Sequence, residues 1–178
     1  MFDNNSWHNF GHRFGQHRRR NFDENAILEF FDFPENCSLL DLGCGDGFFT
    51  KMFLKRCRNV TGVDLDDSYF EELQKAGIIT YRSDICGFNQ GKYDIIFMSN
   101  VYHDLAWKCD ESFYKNLYEM SKKHLAILDF KMETEFGPPK SIRLPKERII
   151  ENFESHGFKC VKQKDLNPPF QLLFEKAS

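Results

Sequence analysis

Ser38-Leu39-Leu40-Asp41-Leu42-Gly43-Cys44-Gly45-Asp46-Gly47-Phe48-Phe49 is the stretch whose reading decides the fold. An apolar run ends in a carboxylate, passes through a loop with glycine at every second position, and restarts as an apolar segment of helical spacing. That order predicts strand, tight loop, helix. Glycines there permit φ > 0 and let a ligand approach the main chain where a Cβ would clash. The helix that follows offers free N–H groups in its first turn. The spacing is not that of the dinucleotide fingerprint G-x-G-x-x-G, because Phe48 stands where the third glycine belongs. Nor is it a phosphate loop, since no Lys-Ser or Lys-Thr pair follows Gly47.

Working outward, the same pattern recurs. Phe48, Phe49, Met52, Phe53 and Leu54 lie at helical spacing with Lys51, Lys55 and Arg56 outside. Val60-Thr61-Gly62-Val63-Asp64 is a second apolar strand ending in a carboxylate, about 20 residues beyond the glycine loop. In a doubly wound sheet this strand delivers its last residue to the crevice that the glycine loop faces, so Asp64 is placed to accept hydrogen bonds from ribose hydroxyls. Asp66 and Asp67 are the alternatives, although both also suit the start of the next helix, residues 68–75, which Gly77 closes.

A third strand, residues 78–81, runs toward Ser83-Asp84-Ile85. The fourth, Tyr93-Asp94-Ile95-Ile96-Phe97-Met98, is continuously apolar, as expected where both faces are covered. It delivers Ser99-Asn100-Val101-Tyr102-His103-Asp104-Leu105. A helix over residues 110–123 and a strand over 125–130 follow. A loop over 131–139 contains Gly137-Pro138-Pro139, and a helix carries Ile149, Ile150 and Phe153. Strands at 158–162 and 171–175, joined by Asn167-Pro168-Pro169-Phe170, close the chain. Strands alternating with helices and ending in a hairpin predict a mostly parallel mixed sheet with its last strand antiparallel.

Before the sheet, from Asp23 on, the pattern Ile27, Leu28, Phe30, Phe31 reads as a short amphipathic helix that ends before Pro34. Residues 1–23 form an amino-terminal arm in which Trp7, Phe10, Phe14 and Phe22 alternate with histidines and Arg18-Arg19-Arg20. The organisation is thus an arm, 1–23, and one domain, 24–178.

Bulk properties narrow the function. With 178 residues and 41% hydrophobic content the chain can bury a real core, and twenty phenylalanines fill it largely with rings. A net charge of -3 speaks against holding long nucleic acid by an overall field. Cys37, Cys44, Cys57, Cys86, Cys109 and Cys160 form no C-x-x-C pair or Cys/His cluster. Free, mostly buried thiols are expected, with no metal site and no disulfide framework. No signal-peptide pattern or apolar run of ~20 residues occurs, so a cytoplasmic protein without a membrane span is expected.

Four elements in sequence, Asp41 to Gly47, Asp64, Asp84-Ile85 and Asn100 to Leu105, resemble the motifs of the class I S-adenosylmethionine (SAM) methyltransferases. Within that class the His12-Arg13-Phe14 and Arg18-Arg19-Arg20 elements resemble the type 11, quinone-biosynthesis group. The resemblance implies a Rossmann-like α/β fold, a seven-stranded mixed sheet in the order 3-2-1-4-5-7-6 with helices on both faces. It implies SAM as cofactor and S-adenosylhomocysteine as product. Asp41, Gly43, Cys44, Gly45 and Gly47 would meet the methionine end, Asp64 the ribose hydroxyls, and Asp84 and Ile85 the adenine, with Leu65 also binding the cofactor. Asn100 would line the cofactor, while Phe14, Tyr102, His103 and Lys131 would face the acceptor, with His103 as an optional catalytic base.

The short spacer after the fifth strand favours a small-molecule acceptor admitted under the arm. Arsenite ranks low, because Cys44 is fixed inside the loop. The motif N-P-P-F at residues 167–170 matches amino-methylating nucleic-acid enzymes, but it lies between the last two strands rather than after the fourth. An RNA or protein methyltransferase, or a SAM-binding protein without catalysis, stays open as the alternative, and a monomer or dimer is expected.

Overall fold

The computed structural model describes residues 22–135, 137–166 and 169–177. The chain divides into two units, Met1–Asp32 and Phe33–Ser178. Within the first, helix α1 spans Glu24–Phe31. Asp23 caps it by accepting from the Ala26 N–H at 3.0 Å, satisfying one of the free donors of the first turn. Asp32, at φ 47°, ends it in the left-handed region, ahead of Pro34, whose neighbour avoids the α conformation. The run of aromatic and basic residues before position 22, including Phe14, lies outside the described residues.

The second unit contains β1 (Ser38–Leu42), α2 (Phe48–Phe53), β2 (Asn59–Asp64), α3 (Phe70–Lys75), β3 (Ile79–Arg82) and a 3-10 turn at Ile85–Gly87. It continues through β4 (Tyr93–Ser99), α4 (Tyr102–Lys108), α5 (Glu111–Met120), β5 (Ser121–Phe130), α6 (Lys146–Glu154), β6 (Phe158–Asp165) and β7 (Pro169–Lys176). The strands form a seven-stranded sheet in the order β3-β2-β1-β4-β5-β7-β6. β7 alone runs against its neighbours, pairing antiparallel with both β5 and β6. This is the expected Rossmann-like order.

Both faces of the sheet are covered, as the continuous apolar runs of β1 and β4 require. On one face Leu40, Leu42, Ile96, Met98, Leu125, Ile127, Leu172 and Phe174 join Leu105 of α4, Phe113 and Leu117 of α5, and Phe153 of α6. On the other, Phe49 and Phe53 of α2 pack their rings against Phe97 at 5.5 and 4.7 Å between centroids. Strand alternation sorts the two sets, since successive side chains point to opposite faces.

Some boundaries differ from the sequence expectation. α5 ends at Met120 and β5 begins at Ser121, because Ser121 already has extended angles, φ -75° and ψ 127°. Lys122 then pairs with Asp94 of β4 at 3.5 Å. β6 runs on to Asp165; its polar outer half, with Lys162 and Lys164, suits an edge strand that must not recruit another.

The cysteine expectation is overturned. Cys37 is bonded to Cys57 and Cys86 to Cys109, leaving Cys44 and Cys160 as free thiols. The partners are 20 and 23 residues apart, so only the folded chain brings them together. Cys37 immediately precedes β1 and its carbonyl accepts the Arg58 N–H beside Cys57. No helix among the described residues is long and apolar enough to cross a membrane.

Candidate functional site

The site is built at the carboxyl ends of β1, β2, β3 and β4, where a doubly wound sheet opens its crevice. Gly43, Gly45 and Gly47 all have positive φ, +83°, +50° and +74°, so the alternate spacing of glycine reflects a backbone that L side chains rarely adopt. Their surroundings differ. A Cβ on Gly47 would stand 2.1 Å from Leu73 Cδ2, and one on Gly43 3.0 Å from Val101 Cγ2. A Cβ on Gly45 would meet nothing within 4 Å. Gly45 is thus the open side of the loop, and Gly43 and Gly47 are the packed sides.

The loop is tied to β2 from two directions. The N–H groups of Gly43 and Cys44 both donate to the Val63 carbonyl, at 2.8 and 3.2 Å. Asp64 accepts the Gly45 N–H through Oδ2 at 2.9 Å and the Asp66 N–H through Oδ1 at 3.0 Å. Each oxygen keeps acceptor capacity, because a carboxylate offers about four lone-pair sites. Asp64 therefore both shapes the glycine loop and faces the crevice. Exposed Leu65 stands beside it, its carbonyl held by Arg82 Nε at 3.2 Å.

Asp41 is buried and accepts from Thr50 Oγ1 at 2.6 Å, which fastens α2 to the end of β1. The Cys44 side chain is buried over Gly62, whose absent Cβ would lie 2.9 Å from its Sγ. Burial and the nearby carboxylates of Asp41 and Asp64 push this thiol well above the ordinary range. Cys44 contributes its backbone, and its carbonyl receives the Gly47 N–H at 2.9 Å.

Asp84 caps the 3-10 turn by accepting the Cys86 N–H at 3.1 Å, and Lys108 Nζ binds its other oxygen at 2.8 Å. The Lys108 hydrogen bond first, and the Cys86 N–H second, hold this half-exposed carboxyl below the usual carboxylate range. The Ser83 N–H donates to the Asp64 carbonyl at 3.1 Å, placing Asp64 and Asp84 on one rim. Ile85 buries its side chain in the core.

After β4, Asn100 adopts φ 53° and donates its N–H to the Leu128 carbonyl at 2.7 Å. Its side-chain amide N and O are both buried without a partner among the described residues. Tyr102 corrects the expectation that it faces an acceptor. It is 0% exposed, its hydroxyl is shared with the Tyr114 hydroxyl at 2.9 Å and Asn152 Nδ2 at 3.2 Å, and its ring packs on Phe153. The first turn of α4 rotates it into the core.

His103, 4% exposed, pairs with Asp129 at the end of β5. Nδ1 lies 2.8 Å from Asp129 Oδ1, and the His103 backbone N–H donates to Oδ2 at 3.1 Å. Burial presses the imidazole pKa down, but the Asp129 hydrogen bond and charge, with Asp104, outweigh it and leave His103 above its ordinary value. An ionised Asp129 only accepts, so it fixes the proton on Nδ1 of a neutral ring and leaves Nε2 basic. Lys131 follows β5, and its carbonyl receives Arg143 Nη1 at 2.9 Å. Arg143, itself buried, also binds the carbonyls of Pro138 and Thr134, at 2.9 and 2.5 Å, and so folds the 131–139 loop onto one side chain.

The structure therefore brings together Asp41, the glycine loop, Asp64, Leu65, Asp84 and Asn100, and sets His103 with Asp129. Thr50, Gly62, Asp129 and Arg143 were missed in the sequence. For Asp129 the signal was present, since Ile127-Leu128-Asp129 is a third apolar run ending in a carboxylate. For Gly62 it was a glycine inside a strand, a mark of close approach. Nothing local pointed to Thr50 or Arg143.

Residues 39–124 match the family model described as a methyltransferase domain. An uncharacterized methyltransferase of Schizosaccharomyces pombe is 26% identical over 83 residues, 43% of this chain and 32% of that protein. The chain thus spans about a third of the length of the curated relative it matches. A SAM-dependent methyltransferase from Aquifex aeolicus superimposes with a TM-score of 0.80 over 90% of this chain and 93% of the other, at 22% identity. The N-methyltransferase NodS from Bradyrhizobium japonicum, solved with S-adenosylhomocysteine, does so with a TM-score of 0.68 over 90% and 87%, at 17% identity. Residues 39–124 are thus similar to a methyltransferase domain, and the chain shares the fold of SAM-dependent methyltransferases of known structure. NodS holds S-adenosylhomocysteine in this fold, and the open Gly45 and the crevice-facing Asp64 of this chain fit a nucleoside ligand.

Proposed function

We propose that the chain transfers a methyl group from SAM to a small-molecule acceptor. The observation that carries this reading is the junction at Asp64, whose carboxylate braces the one glycine of the loop that opens to free space. Asp64 would accept from the ribose hydroxyls, Leu65 would lie along the base, and Asp84 with the Ile85 N–H would meet the adenine edge. The glycine loop would take the methionine end by close backbone approach, with Asp41 and Cys44 holding its shape and Asn100 closing it from β4.

When bound, SAM supplies a sulfonium methyl that passes to the acceptor nucleophile as its S–CH3 bond breaks and S-adenosylhomocysteine is left. The protein's principal task is to orient the acceptor and exclude water, an effect worth up to about 7–11 kcal/mol in well-aligned systems. His103 would remove the acceptor proton through Nε2, with Asp129 fixing the ring and offsetting the charge it gains. Lys131 and the loop that Arg143 gathers would border the acceptor side. The amino-terminal arm, with Phe14, would cover the acceptor; its rings would add cation–π attraction near the sulfonium.

The reading is tested with methyl-labelled SAM offered to separate metabolite, RNA and protein pools. Label entering the metabolite pool is expected. Label confined to RNA or protein would replace the acceptor class, and SAM binding with no transfer to any pool would leave a binding protein without catalysis.

A further inference from the structure

One flank of α4 carries three side chains of different kinds. At about 3.6 residues per turn, His103, Trp107 and Asp104 fall within an arc of roughly 100°. Trp107 follows His103 by four residues and Asp104 by three, spacings at which helical side chains are neighbours. His103 is buried, Asp104 is half-exposed, and Trp107, at 68%, is the most exposed large hydrophobic residue among those described. The flank is therefore open to solvent at two of its three members. Trp107 is nonetheless held in place, because its indole N–H donates to the Ile142 carbonyl at 3.2 Å, next to the Arg143 that gathers the 131–139 loop. Its ring meets no other ring and no cation among the described residues. A tethered, uncovered indole offers its π face to a ligand.

Asp104 and Asp129 meet different nitrogens of the same imidazole. Nδ1 of His103 is committed to Asp129 at 2.8 Å, while Nε2 lies 3.6 Å from Asp104 Oδ2, too far for a hydrogen bond. With the proton on Nδ1, Nε2 and the Asp104 carboxylate are both acceptors. Two acceptors facing one another across that gap call for a group that brings several N–H donors and no acceptor. An ammonium is such a group. The charges agree. Asp104 pairs with no lysine or arginine among the described residues, since the neighbouring Lys108 is bound to Asp84 at 2.8 Å. The buried Arg143 offsets Asp129, so a neutral imidazole leaves the charge of Asp104 unanswered.

We propose that the methyl acceptor is a small amine whose ammonium group is held by Asp104 and the face of Trp107 at His103 Nε2. This rests on the methyl-transfer reading above and names the acceptor's class. An alkyl ammonium has a pKa of about 10.4, so such an acceptor arrives charged near neutral pH, and indole is the best of the aromatic faces for a cation. The bound R–NH3+ gives one proton to Nε2, which forms an imidazolium between Asp129 and Asp104. The lone pair freed on nitrogen attacks the sulfonium methyl carbon, the S–CH3 bonding pair stays on sulfur, and R–NH2+–CH3 and S-adenosylhomocysteine are the products. The imidazolium then releases its proton to water past the half-exposed Asp104.

The test uses the full chain carrying Trp7→Phe, which leaves Trp107 as the sole tryptophan, saturated with S-adenosylhomocysteine. The probes are benzylamine and benzyl alcohol, alike in skeleton and different in charge, and the readout is Trp107 fluorescence. Benzylamine is expected to change the emission saturably, with benzyl alcohol binding at least roughly tenfold more weakly. Asp104→Asn should lower benzylamine affinity about ten- to a hundredfold, as loss of a charged partner implies, and Asp104→Glu should restore most of it. Both variants should keep the parent affinity for S-adenosylhomocysteine, which also shows that they are folded. No emission change with benzylamine, equal affinity for the two probes, or undiminished benzylamine binding by Asp104→Asn would each overturn the proposal. So would an Asp104→Asn variant that binds SAM more weakly but S-adenosylhomocysteine as before, because the carboxylate would then serve the sulfonium. If S-adenosylhomocysteine itself fails to bind the parent chain, the methyl-transfer reading falls, and that result is read before any probe is added.

Discussion

Replacing Asp129 with asparagine keeps the volume of a buried side chain and removes its charge. Asp129 Oδ1 receives the Phe130 N–H and faces His103 Nδ1, both at 2.8 Å, and Oδ2 receives the His103 N–H at 3.1 Å. Asparagine has one oxygen for these three donors. With that oxygen placed toward Nδ1 and Phe130, its NH2 confronts the His103 N–H, and a buried backbone donor is orphaned. The orphan costs about 1–3 kcal/mol, and weakening a charge-assisted bond to a neutral one adds about 1, so Asp129→Asn should destabilise the fold by ~3 kcal/mol. For a chain of 178 residues that is a fall in Tm of about 6–12 °C, at 2–4 °C per kcal/mol.

The loss should also depend on pH. His103 has a folded pKa above its unfolded value. The stability it contributes is therefore fully present below the unfolded pKa of about 6.5 and is lost as pH rises through the folded value. The gap between wild type and Asp129→Asn, read from urea unfolding, should be wider at pH 5.5, about one unit below the unfolded value, than at an alkaline pH where the histidine is neutral in both states. A gap below ~1 kcal/mol, or one equal at both pH values, would refute the coupling of His103 to Asp129.

Two further outcomes are expected. Gly47→Ala places a methyl 2.1 Å from Leu73 Cδ2 at φ +74°, and overpacking with left-handed strain should cost about 2–5 kcal/mol by chemical denaturation; Gly45→Ala, facing open space, should spare more of the fold and instead weaken SAM binding. Deleting residues 1–20 should leave the thermal unfolding of the sheet domain in place but impair turnover or SAM retention, and unaltered kinetics would dismiss a covering role for the arm.

How much of this was legible before folding depended on whether the signal was local. β1, β2 and β4 were readable because each is an apolar run ended by a polar residue at the crevice; Asp41 and Asp64 fell out of the same pattern, whereas Asp84, beyond the mostly exposed β3, followed from the family resemblance. The start of β5 was not, because Ser121, Lys122 and Lys123 are polar and become a strand only by pairing with β4 and with the Asp94 carboxylate. Tyr102 and His103, adjacent in sequence, were assigned together, yet α4 sends one hydroxyl to Tyr114 and Asn152 and the neighbouring ring to Asp129. The disulfides depend on residues 20 and 23 positions apart meeting in the folded chain, and the Arg143 clasp on an irregular loop closing back onto one side chain. No spacing rule encodes those contacts.

The central claim, a nucleoside site organised by Asp64, is tested most directly by calorimetric titration of SAM into the wild-type chain and into Asp64→Ala, with circular dichroism verifying that the variant is folded. Hydrogen bonds to a charged group contribute about 1.5–3 kcal/mol each, so the variant should bind at least roughly tenfold more weakly than a wild type that binds SAM one to one. Equal affinity in the two proteins would contradict the account.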